Sequence, residues 1–416
     1  MSVVMTENLY EKSLIYLKTF CHEISERCVG SEGNRQATRF FEKELSSLGW
    51  KTALAEFDAV DWEENGAVLK SNGKTFNVLV SPYSLAFKGE ATLVAASTTA
   101  ELENLDIKDN IVLLFGEIAK DQLMPKNFVF YNPDEHQKII GLLEKGKPKA
   151  IISATGRNPA LAGGVYPFPL IEDGDFNIPS VYMTEEEGKE LISIIGKKVF
   201  LESKSKRIPG KGYNVIATKG IKKSDRIVVT AHIDAKKGTP GAIDNATGVI
   251  ILLLLADLLK DYDGDNIIEL VAFNGEDYYA VSGQMNYIRA NQENFNEIIL
   301  NINIDGAGFK EGPSAFSLFE LPEVLHNIAH EIIRQYSGIT EGAHWSQGDH
   351  SIFLQYGVPA IAVSSKWFVD NINGQEITHT PKDNIEIVDC MRLIEISHAL
   401  NSLIRRLGGL SGRLLL

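Results

Sequence analysis

The segment Arg226-Ile-Val-Val-Thr-Ala-His232-Ile-Asp234 decides the fold class of this chain. It begins with a short, almost wholly apolar run, which is typical of a strand buried on both faces of a sheet. Similar runs follow at residues 268–273, 298–304 and 358–363, and they alternate with helical stretches around 246–260, 279–291, 321–335 and 390–406. Such alternation indicates an α/β fold. We therefore predict a mainly parallel mixed sheet flanked by helices.

The region before this segment has a different character. Two helical stretches, around 7–27 and from Ser31 to Gly49, are followed by short strand-like runs with Gly, Pro and Asp between them. One of these runs contains Asn72-Gly73, which is typical of a tight hairpin turn. A polar stretch, 203–212, resembles a linker. We therefore predict a β-rich inserted domain at 56–206 and a discontinuous main domain made of 1–55 and 207–416.

Composition and charge narrow the possible partners. The chain has 416 residues, with 41 Lys plus Arg against 55 Asp plus Glu, so its formal net charge is −14. An excess of acid argues against sequence-independent binding to nucleic acid or to anionic membranes. The longest apolar run, Val249–Ala256, is far shorter than the ~20 residues that span a bilayer. Three cysteines without metal-binding spacing and a start without a signal-peptide pattern favour a cytoplasmic protein. A homo-oligomer remains possible.

Polar side chains lie just beyond the ends of three of the predicted strands. His232 and Asp234 follow the first, Glu276 and Asp277 the second, and Asp305 the third. Ligands of open α/β sheets bind at the carboxyl ends of the strands, so these residues are expected to lie together.

Each of these residues also has an ordinary interpretation, as a helix cap, a helix-start acid or a loop histidine. Taken together with Asp244 and His379, they provide two histidines and several carboxylates. That set suits a pair of Zn²⁺ ions, which would lie ~3.5–4 Å apart in a two-metal hydrolase. Oxygen-only ligation for Ca²⁺ or Mg²⁺ fits less well, because it would leave the histidines unused. The sequence also lacks a Gly-x-Ser-x-Gly motif, a GxGxxG after the first strand and a Walker A motif.

These motifs, in this order, resemble the M28 family of zinc aminopeptidases. The similar stretches are Arg27-Cys-Val-Gly-Ser-Glu-Gly-Asn34, Ala231-His-Ile-Asp234, Gly241-Ala-Ile-Asp-Asn-Ala-Thr-Gly248, Phe273-Asn-Gly-Glu-Asp277, Asn303-Ile-Asp305, Gly348-Asp-His-Ser-Ile-Phe353 and His379-Thr-Pro-Lys-Asp383. The resemblance covers about 1–55 and 207–406. The block between is similar to a protease-associated domain, on the residues 109–115, 149–153 and 178–182.

The resemblance implies a zinc exopeptidase-like fold, two Zn²⁺ per chain with Co²⁺ or Mn²⁺ as substitutes, and a role for each site residue. Asp244 would bridge the two ions and precede a cis peptide. His232 and Asp305 would complete one metal site, and Asp277 and His379 the other.

Two residues would act without binding a metal: Glu276 as the general base, and Asp234 by orienting His232. His350 is a possible stabiliser of the transition state. One departure is that Asp277 stands where many relatives have Glu.

The predicted function is that of an enzyme, a dizinc metallopeptidase that removes N-terminal residues from a peptide substrate. Three alternatives stay open: a glutaminyl cyclase-like enzyme with one zinc, a carboxypeptidase-like enzyme, and a non-enzymatic receptor-like binding protein of the same fold. A carboxypeptidase needs a basic group for the substrate carboxylate, and the sequence offers Arg289 or Lys236 and Lys237.

Overall fold

The computed structural model describes residues 3–24, 26–157, 162–221 and 225–408. The helices are α1 (Val3–Lys18), α2 (Glu32–Ser47), α3 (Thr99–Asn104), α4 (Asp134–Gly146), α5 (Glu185–Ile192), α6 (Thr247–Leu258), α7 (Ser282–Asn291), α8 (Glu323–Gln335), α9 (His350–Gln355), α10 (Lys366–Asn371) and α11 (Cys390–Leu407). In the part of the chain that these ranges cover, every helix is too short or too polar to span a membrane.

The strands are β1 (Lys51–Ser71), β2 (Lys74–Phe76), β3 (Leu79–Val80), β4 (Phe87–Ala96), β5 (Ile111–Leu114), β6 (Ala150–Thr155), β7 (Ser180–Thr184), β8 (Lys198–Lys219), β9 (Arg226–His232), β10 (Ile267–Phe273), β11 (Ile298–Ile304), β12 (Ser314–Phe319), β13 (Ile339–Glu341) and β14 (Ala360–Ser365). The chain divides into two compact units. Unit 1 comprises 1–59 and 211–416, and unit 2 comprises 60–210. Each predicted domain boundary lies four residues before the corresponding boundary between these units.

Unit 1 contains a mixed sheet with four parallel strands at its centre, in the order β10-β9-β11-β14. Antiparallel strands flank this group, with β8 beside β10 and β12 beside β14. Helix α6 packs against β9, β10 and β11, and α1, α2 and α11 pack against α6. The predicted α/β fold, a mainly parallel mixed sheet flanked by helices, is confirmed.

The core of unit 1 forms because its central elements are apolar on the surfaces that meet. Helix α6 is almost entirely buried, and its apolar residues contact the face of β9 that carries Ile227, Val229 and Ala231. A helix that is hydrophobic all round is expected in an interior position. Ser31 caps the start of α2, because its side chain accepts a hydrogen bond from the backbone N–H of Asn34 at 3.0 Å.

Unit 2 also contains four parallel strands, in the order β4-β5-β6-β7, together with helices α3, α4 and α5. Strand β3 pairs antiparallel with β7. Asn72 and Gly73 both have positive φ, at 49° and 79°, and they join β1 to β2 in the hairpin that the Asn-Gly pair predicts.

Two local predictions are wrong. The stretch 203–212 is not a linker, because it lies within β8, where pairing with a neighbouring strand satisfies the backbone polar groups despite the Lys, Gly and Pro content. The first helix does not continue to residue 27. It ends in a π-helical turn at Thr19–Glu23, after which Ile24 is extended.

Candidate metal centre

The predicted site residues come together at one edge of the sheet of unit 1. His232 is the last residue of β9, Glu276 and Asp277 follow β10, and Asp305 directly follows β11. These strands are parallel neighbours, so their carboxyl ends meet at the same edge.

Two more residues reach this edge from loops. Asp244 lies at a kink in the turn Ala242–Ala246 that leads into α6. Asp244 and Asn245 have non-helical backbone angles there, and the peptide between them is cis, as the family resemblance implies. His379 lies in the loop before α11 and has a φ of 63°.

Asp244 lies between two histidine–carboxylate groups. Its Oδ1 is 3.1 Å from Nε2 of His232, and its Oδ2 is 3.2 Å from Nε2 of His379. The same nitrogen of His232 is 3.6 Å from Oδ1 of Asp305, and that of His379 is 3.1 Å from Oδ1 of Asp277. The five side chains therefore form two groups that share one aspartate, in the pairing that the resemblance implies.

The chemistry of these atoms fits metal ions. Ligand atoms of His232, Asp244 and Asp277 all lie within 4.8 Å of one another. Among the described residues, Nε2 of His232 and Oδ2 of Asp277 are buried without a hydrogen-bond partner. A buried polar atom needs a partner, and a coordinated ion supplies one. Imidazole nitrogen with carboxylate oxygen is a ligand set that Zn²⁺ accepts.

The orientation of His232 also suits coordination. Its Nδ1 lies 3.2 Å from the backbone oxygen of Asp234, which can only accept a hydrogen bond. Nδ1 therefore carries the proton, and Nε2 keeps a lone pair directed to Asp244 and Asp305.

The carboxylate of Asp234 mainly contacts the loop that follows β10. Oδ1 accepts a hydrogen bond from the N–H of Gly275 at 2.8 Å, and Oδ2 accepts one from the N–H of Asp277 at 3.0 Å. Its distance to Nδ1 of His232 is longer, at 3.7 Å. In this structure Asp234 thus fixes the backbone on both sides of Glu276, in addition to contacting His232 through its own backbone oxygen.

Sequence reasoning did not assign a role to Asp383, although it lies in the motif that begins at His379. Its carboxylate accepts hydrogen bonds from the N–H groups of Ile243 at 2.7 Å and Asp244 at 3.0 Å. Burial, together with the nearby Asp244 charge, raises the pKa of Asp383 to about 7. Asp383 therefore holds the backbone of the shared aspartate in place.

Several acidic side chains lie buried close together in this centre. Burial, reinforced by the charges of Asp305 and Asp277, raises the pKa of Glu276 well above its usual value. Burial alone would raise the pKa of Asp244, but the neighbouring His232 and His379 side chains lower it by more, so its pKa is lowered overall. The cluster thus combines one acid that holds a proton readily with another that stays ionised.

His350 is the first residue of α9 and is fully buried. Its Nε2 lies 3.0 Å from the backbone oxygen of Trp345, so Nε2 donates to that carbonyl. Burial lowers the pKa of His350 to about 4, which leaves the ring neutral at pH 7, with Nδ1 as an acceptor. The predicted role for His350, which stays a prediction, therefore requires the ring to release Trp345.

The basic groups named for a carboxypeptidase are placed less favourably. Arg289 is exposed in the last turn of α7. Nζ of Lys237 lies 3.5 Å from Oε1 of Glu26, so an acid of the chain itself competes for this ammonium group.

The fold and the paired histidine–carboxylate groups define the class of zinc exopeptidase-like α/β proteins. Residues 214–404 match the model of peptidase family M28, so this segment of the chain is similar to that family.

Relatives and solved structures agree with this class. The chain is similar to aminopeptidase YwaD of Bacillus subtilis, with 27% identity over 54% of this chain and 50% of the relative. It is also similar to leucine aminopeptidase 2 of Trichophyton equinum, with 24% identity over 69% of this chain and 56% of the relative. The chain thus spans about half the length of these relatives.

Two solved structures share the fold over almost the whole chain. The aminopeptidase from Aneurinibacillus sp. strain AM-1 superposes with a TM-score of 0.74 at 20% identity, covering 96% of this chain and 93% of that one. BSAP, a zinc aminopeptidase from Bacillus subtilis, superposes with a TM-score of 0.72 at 19% identity, covering 98% and 95%.

Proposed function

We propose that this chain is a metallo-aminopeptidase that binds two Zn²⁺ ions and removes N-terminal residues from peptides. The observation that carries the proposal is the position of Asp244, whose two carboxylate oxygens each approach a different histidine. Three ligands and a water complete one catalytic zinc site, so five ligand side chains around a shared carboxylate suit two ions.

The proposal assigns each ion three ligands from this chain. His232, Asp305 and one oxygen of Asp244 would hold the first, and His379, Asp277 and the other oxygen of Asp244 the second. The side chain of Asp277 is shorter than the Glu that many relatives have, yet its Oδ1 still reaches to 3.1 Å from the nitrogen of His379. Bound ions of this kind polarise the scissile carbonyl and acidify the attacking water.

The protein's own residues supply the proton transfers. Glu276, on the loop fixed by Asp234, takes the proton of the attacking water and returns it to the leaving amine. Burial raises the pKa of Glu276, so the carboxyl group retains that proton during the interval between the two transfers. Asp234 holds the loop by accepting from the N–H groups on both sides of the base.

The charge of the site favours an aminopeptidase over a carboxypeptidase. Glu276, Asp305 and Asp349 are acids that lie near one another in the buried centre. In their ionised forms these acids attract the α-ammonium group of a substrate and repel its C-terminal carboxylate. The names of the relatives, YwaD and leucine aminopeptidase 2, support the same direction.

Unit 2 is proposed as a protease-associated-like domain. The support is the sequence resemblance at 109–115, 149–153 and 178–182, which coincide with β5, β6 and β7.

The test measures the zinc content of the protein and asks whether cleavage requires a free N-terminal amine on the substrate. Metal-free protein is titrated with Zn²⁺, and cleavage of leucine p-nitroanilide is compared with that of its N-acetylated form and of a peptide blocked at its N-terminus. We expect two zinc ions per chain and cleavage of the free-amine substrate alone.

Other results would each exclude part of the proposal. One zinc with cyclisation of N-terminal glutamine would favour a glutaminyl cyclase, and release of C-terminal residues would favour a carboxypeptidase. Saturation with zinc without any turnover would favour a receptor-like protein.

A further inference from the structure

Arg27 is buried, at 3% exposure, close to the loop between two of the proposed metal ligands. Its guanidinium donates four hydrogen bonds, all to backbone carbonyls. Nε donates to Ile233 at 3.0 Å, Nη1 to Phe20 at 2.7 Å and Pro240 at 2.8 Å, and Nη2 to Gly241 at 2.7 Å. Four bonds in different directions use the planar fork of an arginine, which a lysine cannot reproduce.

One of these acceptors is available because of the π-helical turn after α1. In a regular α-helix the N–H of Ile24 would bond to the carbonyl of Phe20. Here it bonds to Thr19 instead, at 3.0 Å, which is the longer π-type spacing. The carbonyl of Phe20 is thereby released and accepts from Arg27. The π-helical turn, which the sequence did not predict, therefore provides one of the acceptors of Arg27.

The other three acceptors lie at the two ends of one loop. Ile233 directly follows the ligand His232, and Pro240 and Gly241 come shortly before the shared ligand Asp244. Gly241 has a φ of 57°, and a Cβ there would lie 2.6 Å from the carbonyl oxygen of Asp244 and 2.9 Å from Nη2 of Arg27. Any side chain at position 241 would therefore clash with the backbone of Asp244 and with the guanidinium of Arg27.

A second contact from the same N-terminal motif reaches the next loop. Asn34 and Asn274 exchange two side-chain hydrogen bonds, at 2.7 and 2.9 Å, and Nδ2 of Asn34 also donates to the carbonyl of Arg27 at 2.8 Å. Asn274 lies two residues before Glu276. The motif Arg27–Asn34 therefore contacts the backbone beside the proposed ligands and the side chain of Asn274 near the proposed base.

We infer that Arg27 is a positioning residue of the metal centre, which sets the separation of His232 and Asp244 by holding both ends of the loop between them. The inference rests on the metal centre proposed above. It assigns to the N-terminal segment, which lies outside the matched family segment, a part in positioning the metal ligands.

The first test is the zinc affinity of Arg27→Lys, measured by competition with a chromophoric chelator. This variant keeps the positive charge but loses the bonds in several directions, so we expect zinc binding to weaken by about 10–100-fold, as for other groups that orient metal ligands. The control is Arg39→Lys on α2, an exposed arginine that pairs with Glu32, which should bind zinc like the wild type. Circular dichroism of the metal-free variant should match the wild type.

An Arg27→Lys variant that folds and binds zinc as tightly as the wild type would reject the inference alone. A wild type that binds no zinc would instead reject the proposed function.

A second measurement uses only the wild type and so does not depend on a variant that folds. Hydrogen exchange is compared with and without zinc. Because Arg27 connects the two segments, we expect zinc to slow exchange both in 233–244 and in 20–24. Slower exchange in 233–244 alone would show that the N-terminal segment is not coupled to the metal centre, which would overturn the inference.

Discussion

Both units of the molecule contain four parallel strands, yet they use the carboxyl ends of those strands differently. In unit 2 the polar side chains at these ends bond to the fold itself. Thr98, after β4, and Thr184, at the end of β7, each accept a hydrogen bond from the N–H three residues on, at the start of a helix. Thr155, at the end of β6, donates to the carbonyl of Phe168 at 2.8 Å.

In unit 1 the corresponding edge keeps ligand atoms that the fold does not use. Among the described residues, Nε2 of His232 and Oδ2 of Asp277 have no hydrogen-bond partner. Within the described residues, one group of three His, Cys, Asp or Glu side chains has ligand atoms close enough to share an ion. That group is His232, Asp244 and Asp277, and it lies at this edge. In both units the parallel strands bring polar side chains together at one edge of the sheet. Metal binding becomes possible where those side chains have atoms that make no hydrogen bond within the fold.

The largest effect should come from Asp244→Asn, which removes the charge that both metal groups share. A neutral amide is a poor ligand for a divalent ion, so we expect zinc content to fall from two to below one per chain and peptidase activity to be lost. Elemental analysis and turnover of a free-amine substrate measure this.

Asp261→Asn is the matched control, since it removes the same charge from an exposed site. Two zinc ions retained by Asp244→Asn would contradict the assignment of Asp244 as the shared ligand.

A smaller but specific loss is expected for Glu276→Gln, which keeps the shape of the side chain and removes the proton acceptor. General-base catalysis contributes ~10²–10⁴-fold, so kcat should fall by about that factor, with KM and zinc content little altered. Steady-state kinetics at saturating zinc measure this effect.

The neighbouring variant Asp277→Asn is the comparison, because it should weaken one metal site and recover activity when zinc is added. If both variants kept wild-type kcat and zinc content, neither acid would take part in metal binding or in catalysis.

A still smaller effect is expected for His350→Gln, because the N–H of this ring is directed to the carbonyl of Trp345. Removing a true oxyanion donor typically costs ~10²–10³ in kcat. We therefore expect a smaller reduction than that, measured by kcat on a free-amine substrate at saturating zinc. A loss within the full range for an oxyanion donor would show that His350 turns toward the substrate and stabilises the transition state.

The sequence predicts the strands and helices around the site well, because buried strands such as β9 and β11 are short, largely apolar runs. It also predicts which side chains follow those strands. Antiparallel β12 was not predicted, since its Ser and Phe residues lie between Gly-rich and Pro-containing stretches that resemble loops.

The contacts that hold the site together were harder to predict. Arg27 and the loop at 233–241 are more than 200 residues apart, and no local period relates them. The same is true of Asn34 and Asn274. For Asp383 the motif indicated a position but not its two backbone partners. Sequence patterns therefore indicated the proposed ligands, whereas the groups that position them required the three-dimensional structure.

The smallest effect should follow from Thr184→Ala, which tests the other side of the comparison. In unit 2 the Thr184 side chain accepts the N–H of Glu187 at 3.2 Å and so caps α5. Losing a cap of this kind costs ~1 kcal/mol, whereas Thr184→Ser keeps the hydroxyl and should cost little. Urea unfolding, monitored through a signal that reports on unit 2, measures the difference in the free energy of unfolding between these variants. Zinc content and kcat should match the wild type in both variants, because this strand end serves the fold alone. A change in zinc binding or kcat would mean that strand ends in both units contribute to the chemistry, and the contrast between them would fail.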